Sequence, residues 1–226
     1  FITDERRGAM RHDDCLILVT DRSISTIDDI LPCLELAARD GRPFIIIAED
    51  VSGQALAAMI MNAMKGSMKV AAIKAPRYGE ERRNILSDLA ISVGATFVSR
   101  DSGIQLRSVK LEHFGKAQTI ESSKFSTTIV GGDQDDEEVE KRIESLKVQI
   151  TGESSISECE KIQERITRLA SAVAIIKVGG LTEVEMTEKK HRVEDALEAV
   201  SSAQQEGIIA GGSSALLRVS NKLFVE

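Results

Sequence analysis

Four short apolar runs with helix-forming stretches between them constrain the fold of this chain more than any other feature. The runs occupy residues 16–20, 43–48, 68–73 and 96–98, and the helices predicted between them cover 31–38, 54–66 and 80–93. Gly41, Gly66 and Gly94 follow the helical stretches, and glycine tolerates the left-handed conformation that ends a helix. Strands that are apolar on both faces need helices above and below the sheet. The pattern therefore predicts an α/β fold with a parallel sheet.

The helix predicted over residues 54–66 has no clean polar face. Leu56, Ile60 and Ala63 form one apolar stripe. A second stripe, roughly a quarter-turn away, consists of Ala57, Met61 and Met64. A surface helix normally needs one such stripe to face the core. The second stripe means either that this helix is buried on both sides or that one stripe is exposed to a partner.

The middle of the chain predicts two strands and a helical hairpin. The strands cover residues 116–123 and 127–130, and the acidic cluster 133–138 follows them. The cluster lacks the glycine and the closing glutamate of a calcium loop, so we interpret it as a helix N-terminus, where acidic residues favour the helix dipole. Two helices with a short link at 151–152 then predict a hairpin packed on the sheet. Their apolar stripes are Val139, Ile143, Leu146 and Ile150, and Ile156, Cys159, Ile162, Ile166 and Leu169.

The last fifty residues predict two strands and two helices. A buried strand is predicted over 172–178 and a half-exposed strand over 182–186, because polar and apolar residues alternate there. A long helix follows over 187–206, ended by Gly207. Beyond a turn with Gly211 and Gly212, a further helix begins. The side chains predicted to face inward from the long helix are Val193, Ala196, Leu197, Val200 and Ala203.

Composition argues against several function classes. The net charge of −7 and the absence of a basic run with interleaved aromatic residues argue against a nucleic-acid partner. No apolar run approaches the length that spans a bilayer, so we expect no membrane partner. Three widely spaced cysteines indicate reduced thiols rather than a disulfide framework or a metal site. We expect an excised piece of a longer protein, because the sequence starts at Phe1 without a signal-like segment.

Catalytic motifs are sparse. The phosphate-binding patterns GxxxxGK[ST] and GxGxxG are absent, and the three histidines are scattered. Gly212, in a glycine pair before a helix, is able to approach a phosphate closely, but an ordinary helix-start turn is the plainer interpretation of the pair. Asp195 in the long helix is able to orient a water, but a solvated helix face is the plainer interpretation. A small-molecule enzyme therefore lacks a convincing catalytic set.

Several stretches closely resemble the group I chaperonins of bacteria and organelles. They are residues 46–51 (IIAEDV), 69–76 (KVAAIKAP), Gly179 with 182–186 (TEVEM), 189–197 (KKHRVEDAL) and 210–212 (AGG). The similarity runs from Phe1 to about Leu223 and so covers nearly the whole chain. It implies an apical domain of layered β-sheets with flanking helices over residues 1–173, which binds substrate and co-chaperonin. A helical intermediate-domain segment over 174–206 and the start of an equatorial, ATP-binding segment over 207–226 would follow.

The resemblance also implies where polypeptides bind. Family members capture non-native polypeptides, and later a lid-like co-chaperonin, in a groove between two apical helices. This assigns the stripe of Leu56, Ile60 and Met61 to solvent and leaves Ala55, Met59 and Ala63 as the packing face, which overrides the first grouping. The groove residues carried over are Phe1, Leu31, Leu34, Leu56, Ile60, Met61 and Asn62.

ATP and Mg²⁺ are the cofactors that the resemblance implies. Asp195 matches the family's catalytic aspartate, which activates the water that attacks the γ-phosphate, and Gly212 matches a glycine that contacts the nucleotide. The phosphate loop and the metal ligands would lie outside this chain, so we predict no metal ligand within it. We expect the intact protein to be an ATP hydrolase and the 226 residues alone to be inactive.

The sequence departs from the family pattern at a hinge. Ser171 and Ala172 replace the usual glycine pair between the apical and intermediate domains, and Ser213 replaces a third glycine after Gly212. Two functions stay open. The first is an ATP-dependent chaperonin of the cytoplasm or of an organellar matrix, which assists folding inside a homo-oligomeric ring closed by a co-chaperonin. The second is a divergent chaperonin-like peptide-binding module without regulated ATP cycling. A phosphate loop in the flanking sequence would favour the first.

Overall fold

The computed structural model divides the chain into two compact units. Residues 1–173 form the first unit and 174–226 the second. The structure describes residues 1–5, 8–124, 126–153, 155–170 and 176–223. Ser171 and Ala172 lie outside the described residues. The division falls where the first domain is predicted to end, and the identity of the domains stays a prediction.

A five-stranded mixed sheet forms the centre of the first unit. Its strands are β1 (Met10–Val19), β3 (Phe44–Ala48), β5 (Val70–Lys74), β6 (Gly115–Ser122) and β7 (Thr127–Gly132). They lie in the order β5-β3-β1-β6-β7, with β1, β3 and β5 parallel and β6 and β7 antiparallel. Two short strands, β2 (Ser23–Ile24) and β4 (Asp50–Val51), pair separately. The predicted α/β fold is confirmed, with the correction that the sheet is parallel only in its first half.

Helices cover both faces of the parallel strands. α1 (Ile27–Asp40) and α2 (Gly53–Met64) pack on one face, and α3 (Gly79–Ser92) packs on the other. Leu18 and Ile46 point towards α1 and α2, while the alternate residues Ile17, Ile45 and Ile47 belong to the core under α3. Because both faces of these strands are buried, their sequences are unbroken apolar runs.

The fourth predicted strand, over residues 96–98, is reduced to a single bridge between Thr20 and Val98. The Thr20 hydroxyl donates to the Val98 carbonyl at 2.6 Å. Directly afterwards Ser99 and Ser102 form a hydrogen-bonded turn, in which the Ser102 amide donates to the Ser99 hydroxyl oxygen at 3.0 Å. This turn ends the pairing with β1 before a strand can form.

A helical hairpin completes the first unit. α4 (Asp136–Gly152) begins at Asp135, whose carboxylate accepts from the Glu137 amide at 3.0 Å, which confirms the predicted role of the acidic cluster. α5 (Ile156–Ala170) follows. Ile91 of α3 packs with most of the predicted apolar stripes of the hairpin, but Ile156 at the start of α5 is exposed instead. Asp88 of α3 accepts hydrogen bonds from both α4 and α5. The hairpin therefore packs on α3, where we predicted packing on the sheet.

The second unit is helical, and the strand predicted over 182–186 is wrong. α6 spans Glu183–Glu206, and α7 spans Ser214–Leu223. Thr182 begins α6, because its hydroxyl oxygen accepts from the Glu185 amide at 3.2 Å. The Glu185 carboxylate reaches back to the Leu181 amide at 2.9 Å. Residues 176–178 of the other predicted strand are not in a strand either, and 172–175 lie outside the described residues.

The inward face predicted for α6 is also wrong. Leu197 and Val200 are more than half exposed. None of the described side chains between residues 176 and 222 is buried. The described part of the chain contains no helix that is long and apolar enough to cross a membrane.

Candidate functional site

An exposed apolar surface lies on two neighbouring helices of the first unit. α1 contributes Ile27 and Leu31, one turn apart, and α2 contributes Ile60, Met61 and Met64. Exposure rises along α2 from 39% at Ile60 to 54% at Met61 and 82% at Met64. The two helices pack on the same face of the sheet and contact each other. We call these five residues the α1–α2 surface.

The opposite side of α2 is in the core. Ala55 and Met59 are fully buried, and Ala63 packs against the same core cluster. The predicted packing face is therefore confirmed, since Ala55, Met59 and Ala63 pack. Of the predicted solvent stripe, Ile60 and Met61 are exposed, whereas Leu56 is half-buried. The absence of a polar face on α2 reflects one apolar side in the core and another in water.

α1 corrects one predicted site residue and adds another. Leu34 is 4% exposed and belongs to the core, on the inward stripe with Ile30 and Ala37. It is therefore a packing residue in this structure. Ile27 is exposed one turn before Leu31, but we missed it because the predicted helix began at residue 31. The signal was the i, i+4 spacing of two apolar residues.

Three contacts hold the first half of α1 in place. The Thr26 hydroxyl donates to Asp29 Oδ2 at 2.7 Å, and Arg107 Nε donates to Asp29 Oδ1 at 3.0 Å. The Cys33 thiol donates to the Leu106 carbonyl at 3.5 Å. The Thr26 hydrogen bond, followed by the Arg107 interactions, lowers the pKa of the Asp29 carboxyl group. These contacts of Asp29 support the helix that carries Ile27 and Leu31.

The remaining predicted binding residues are less exposed or lie elsewhere. Leu56 and Asn62 are half-buried. The Asn62 amide nitrogen donates to the Ala58 carbonyl at 2.9 Å, so this side chain is already engaged within α2. Phe1 is 37% exposed in the N-terminal segment, which folds back through an Asp4–Ala9 bridge before β1.

The predicted nucleotide residues both lie in the second unit. Asp195 is an exposed carboxylate on α6. Gly212 has a φ of +60° directly before α7, and no atom lies within 4 Å of the position that a Cβ would take. The described residues contain no group of three or more His, Cys, Asp or Glu side chains that could hold a metal ion. One carboxylate and one open glycine turn do not assemble a site for ATP with Mg²⁺.

One depression in the first unit is lined by ion-paired side chains. A depression of about 470 Å³ lies beside the start of β6. Lys110 pairs there with Glu112 at 3.5 Å, and Lys116 pairs with Asp133 at 2.7 Å. A ligand would have to compete with these ion pairs. The lining residues are Leu16, Arg42, Lys110, Leu111, Glu112 and Lys116.

Comparison with known proteins identifies one family. A model of the TCP-1/cpn60 chaperonin family matches residues 27–225. The match begins at the first residue of α1, includes all five residues of the α1–α2 surface, and continues through Asp195 and Gly212.

Proposed function

Because this chain belongs to the TCP-1/cpn60 chaperonin family, we propose that its α1–α2 surface captures non-native polypeptides for an ATP-dependent folding cycle. Family membership indicates a chaperone that assists protein folding. Members of the family are generally ATP hydrolases and act as oligomeric rings. The proposal adds the surface that binds the polypeptide and the residues that would respond to ATP.

The exposed apolar side chains on α1 and α2 carry this proposal. Leu31 and Met64 are 44% and 82% exposed, although both are side chains that proteins normally bury. Covering apolar surface contributes about 25 cal/mol per Å², so a partner that covers about 200 Å² gains about 5 kcal/mol before the costs of association. A non-native polypeptide exposes apolar side chains and supplies such a partner.

The chemistry of the surface favours partners of many sequences. Its five side chains are aliphatic or thioether groups and form no hydrogen bonds that would select a sequence. The unbranched side chains of Met61 and Met64 adapt to irregular partners, as methionines do on other promiscuous binding surfaces. A single surface gives weak capture, and a ring of identical subunits would strengthen it through multivalency.

The finer features of the cycle follow the group I resemblance. We propose that a lid-like co-chaperonin competes for the same surface and that Asp195 activates the attacking water once ATP and Mg²⁺ are bound. Gly212 would contact the nucleotide. Since the described residues do not assemble a nucleotide site, Asp195 and Gly212 would act together with nucleotide-binding segments beyond this sequence.

Suppression of aggregation tests the surface directly. The 226-residue chain is mixed with a chemically denatured client protein, and light scattering follows aggregation on dilution. Leu31→Ser with Ile60→Ser should reduce suppression strongly, because it removes two exposed apolar groups from the surface. Val148→Ser is the matched control, since Val148 is an exposed apolar residue (70%) on α4 of the same unit.

If the proposal is right, the Leu31→Ser/Ile60→Ser variant suppresses aggregation poorly, whereas Val148→Ser suppresses it like the wild-type chain. Circular dichroism and thermal unfolding should show that both keep the fold, because all three residues are exposed to solvent. Equal suppression by the wild-type chain and the Leu31→Ser/Ile60→Ser variant would refute the assignment of the surface.

ATP turnover tests the assignment of Asp195. We expect the 226-residue chain alone to show no ATP hydrolysis above background in a phosphate-release assay. Turnover by this chain that disappears in Asp195→Ala would show that it contains a complete catalytic site and would contradict the proposal.

A further inference from the structure

The six methionines of the chain fall into clearly different environments. Met10 and Met59 are buried, with 5% and 0% of their surface exposed, and Met68 is half-buried. Met61 and Met64 are exposed on the α1–α2 surface, three residues apart on α2. Met186, on α6 of the second unit, is 41% exposed. Two of the three exposed thioethers therefore belong to the surface proposed to capture polypeptides.

We propose that Met61 and Met64 form a reversible oxidation site, at which a hydroperoxide converts both side chains to sulfoxides and weakens polypeptide capture. This inference rests on the proposed function of the α1–α2 surface. It adds a chemical signal that would control the surface independently of ATP.

The reaction needs only the thioether and the peroxide. A lone pair of the methionine sulfur attacks one peroxide oxygen, and the O–O bond breaks. The sulfur keeps that oxygen as a sulfoxide and is oxidised by two electrons. The other oxygen leaves with its own substituent and with the proton of the transferred oxygen, as water from hydrogen peroxide or as an alcohol from an organic hydroperoxide. Methionine sulfoxide reductases reverse the change, with one enzyme for each sulfoxide epimer, and a reductase thiol pair supplies the electrons.

The position of the two residues gives the oxidation its consequence. A sulfoxide is a polar acceptor, and burying it under a client costs free energy unless a donor pairs with it. The other members of the surface, Ile27, Leu31 and Ile60, are aliphatic and offer no side-chain donor. Oxidation therefore replaces adaptable apolar contact with a polar group that a client must leave in water.

The cysteines compete little for the oxidant. Cys15 and Cys33 are buried, and burial raises the pKa of the Cys15 thiol to about 11 and that of the Cys33 thiol to about 12. Peroxides react with the thiolate, so these two residues stay reduced near neutral pH. Cys159 on α5 is half-buried, and a Cys159→Ser variant controls for its oxidation.

The experiment combines peptide mapping with the capture assay. The 226-residue chain is treated with hydrogen peroxide, and mass spectrometry locates the sulfoxides. We expect modification at Met61, Met64 and Met186 and protection of Met10 and Met59, in line with their exposure. Aggregation suppression by the oxidised chain should be about tenfold weaker, as expected when two partly covered methionines lose their apolar contacts. Treatment with both sulfoxide reductases should restore it.

Variants separate the surface from the other oxidation sites. Met186→Leu and Cys159→Ser should capture like the wild type when reduced and should still lose capture after peroxide. The Met61→Leu/Met64→Leu variant should keep after peroxide whatever capture it showed before.

Two results would overturn the inference. The first is undiminished capture by a wild-type chain that carries sulfoxides at both positions, and the second is an equal loss in Met61→Leu/Met64→Leu. No capture by the reduced wild-type chain would refute the proposed function itself, and this inference with it.

Discussion

Asp88 is the residue whose replacement should most clearly loosen the first unit. It lies on α3, is 7% exposed, and accepts from both helices of the α4–α5 hairpin. Arg142 Nε donates to Oδ1 at 2.8 Å. Arg165 donates twice, from Nε to Oδ2 at 2.6 Å and from Nη2 to Oδ1 at 3.0 Å. One carboxylate therefore pairs with two guanidinium groups from two different helices.

Asp88→Ala should cost about 3 kcal/mol of unfolding free energy. Removing one partner of a buried ion pair costs about 3–5 kcal/mol, because the remaining charge stays desolvated and unpaired. The Arg165 side chain is 12% exposed and has little access to water, whereas Arg142 is 24% exposed and rehydrates more easily. The lower end of the range is therefore expected.

Urea unfolding followed by circular dichroism measures the loss of unfolding free energy, and hydrogen exchange shows which elements are destabilised. In Asp88→Ala the amides of α4 and α5 should lose protection before those of β1 and β3. Lys141→Ala is the matched control, because the Lys141–Glu137 pair on α4 is exposed at both ends, 73% and 82%, and should cost less than about 0.5 kcal/mol. A loss below about 1 kcal/mol in Asp88→Ala would show that the two arginines do not depend on it.

Two further predictions concern backbone geometry and alkaline stability. Gly94 has a φ of +66°, and a Cβ there would lie 2.0 Å from the Asp133 carbonyl oxygen, whereas Gly41 has a φ of +85° with nothing within 4 Å. Gly94→Ala should therefore cost more than about 3 kcal/mol in urea unfolding and Gly41→Ala about 1 kcal/mol; equal losses would contradict the clash. Burial raises the pKa of the Cys33 thiol from 9.0 to about 12, so the thiol ionises at lower pH in the unfolded chain than in the folded one. The free energy of unfolding therefore falls as the pH rises between these two values, by at most about 1.4 kcal/mol per pH unit. Cys33→Ala should reduce this dependence of the unfolding free energy on pH. Identical slopes in the wild type and the variant would show that Cys33 does not cause the loss of stability.

The sheet was predictable where burial on both faces dictates the sequence. The runs at 16–20, 43–48 and 68–73 contain no polar side that could face water, and β1, β3 and β5 include most of each run. The antiparallel half was not predictable in the same way. The residues of β7 are half-buried or exposed, so their sequence does not specify which strand they pair with.

The stretch 182–186 shows how a local signal outweighs a short periodicity. Alternation of polar and apolar residues over five positions indicates a strand, but the same residues contain Thr182 three positions before Glu185. A threonine followed three residues later by glutamate is a helix start signal, and here it satisfies two backbone amides at the start of α6. A strand would also need a partner strand, and none of the described residues of the second unit forms one.

At the candidate site, hydrophobic periodicity does not determine which side of a helix is exposed, whereas packing against its neighbours does. The periodicity of α2 gives two apolar stripes, but neither contains Met59, because the sequence of a helix that is apolar on most sides does not specify which side faces the sheet. Met59 occupies the core beside Ile30 and Cys33 of α1, and this placement leaves Met61 in water. Leu34 was wrongly predicted to be a binding residue for the same reason, because the side of α1 that faces solvent depends on the contacts of α1 with its neighbours. Periodicity therefore marks α2 as anomalous, and the exposed side follows from how α1 and α2 share the face of the sheet.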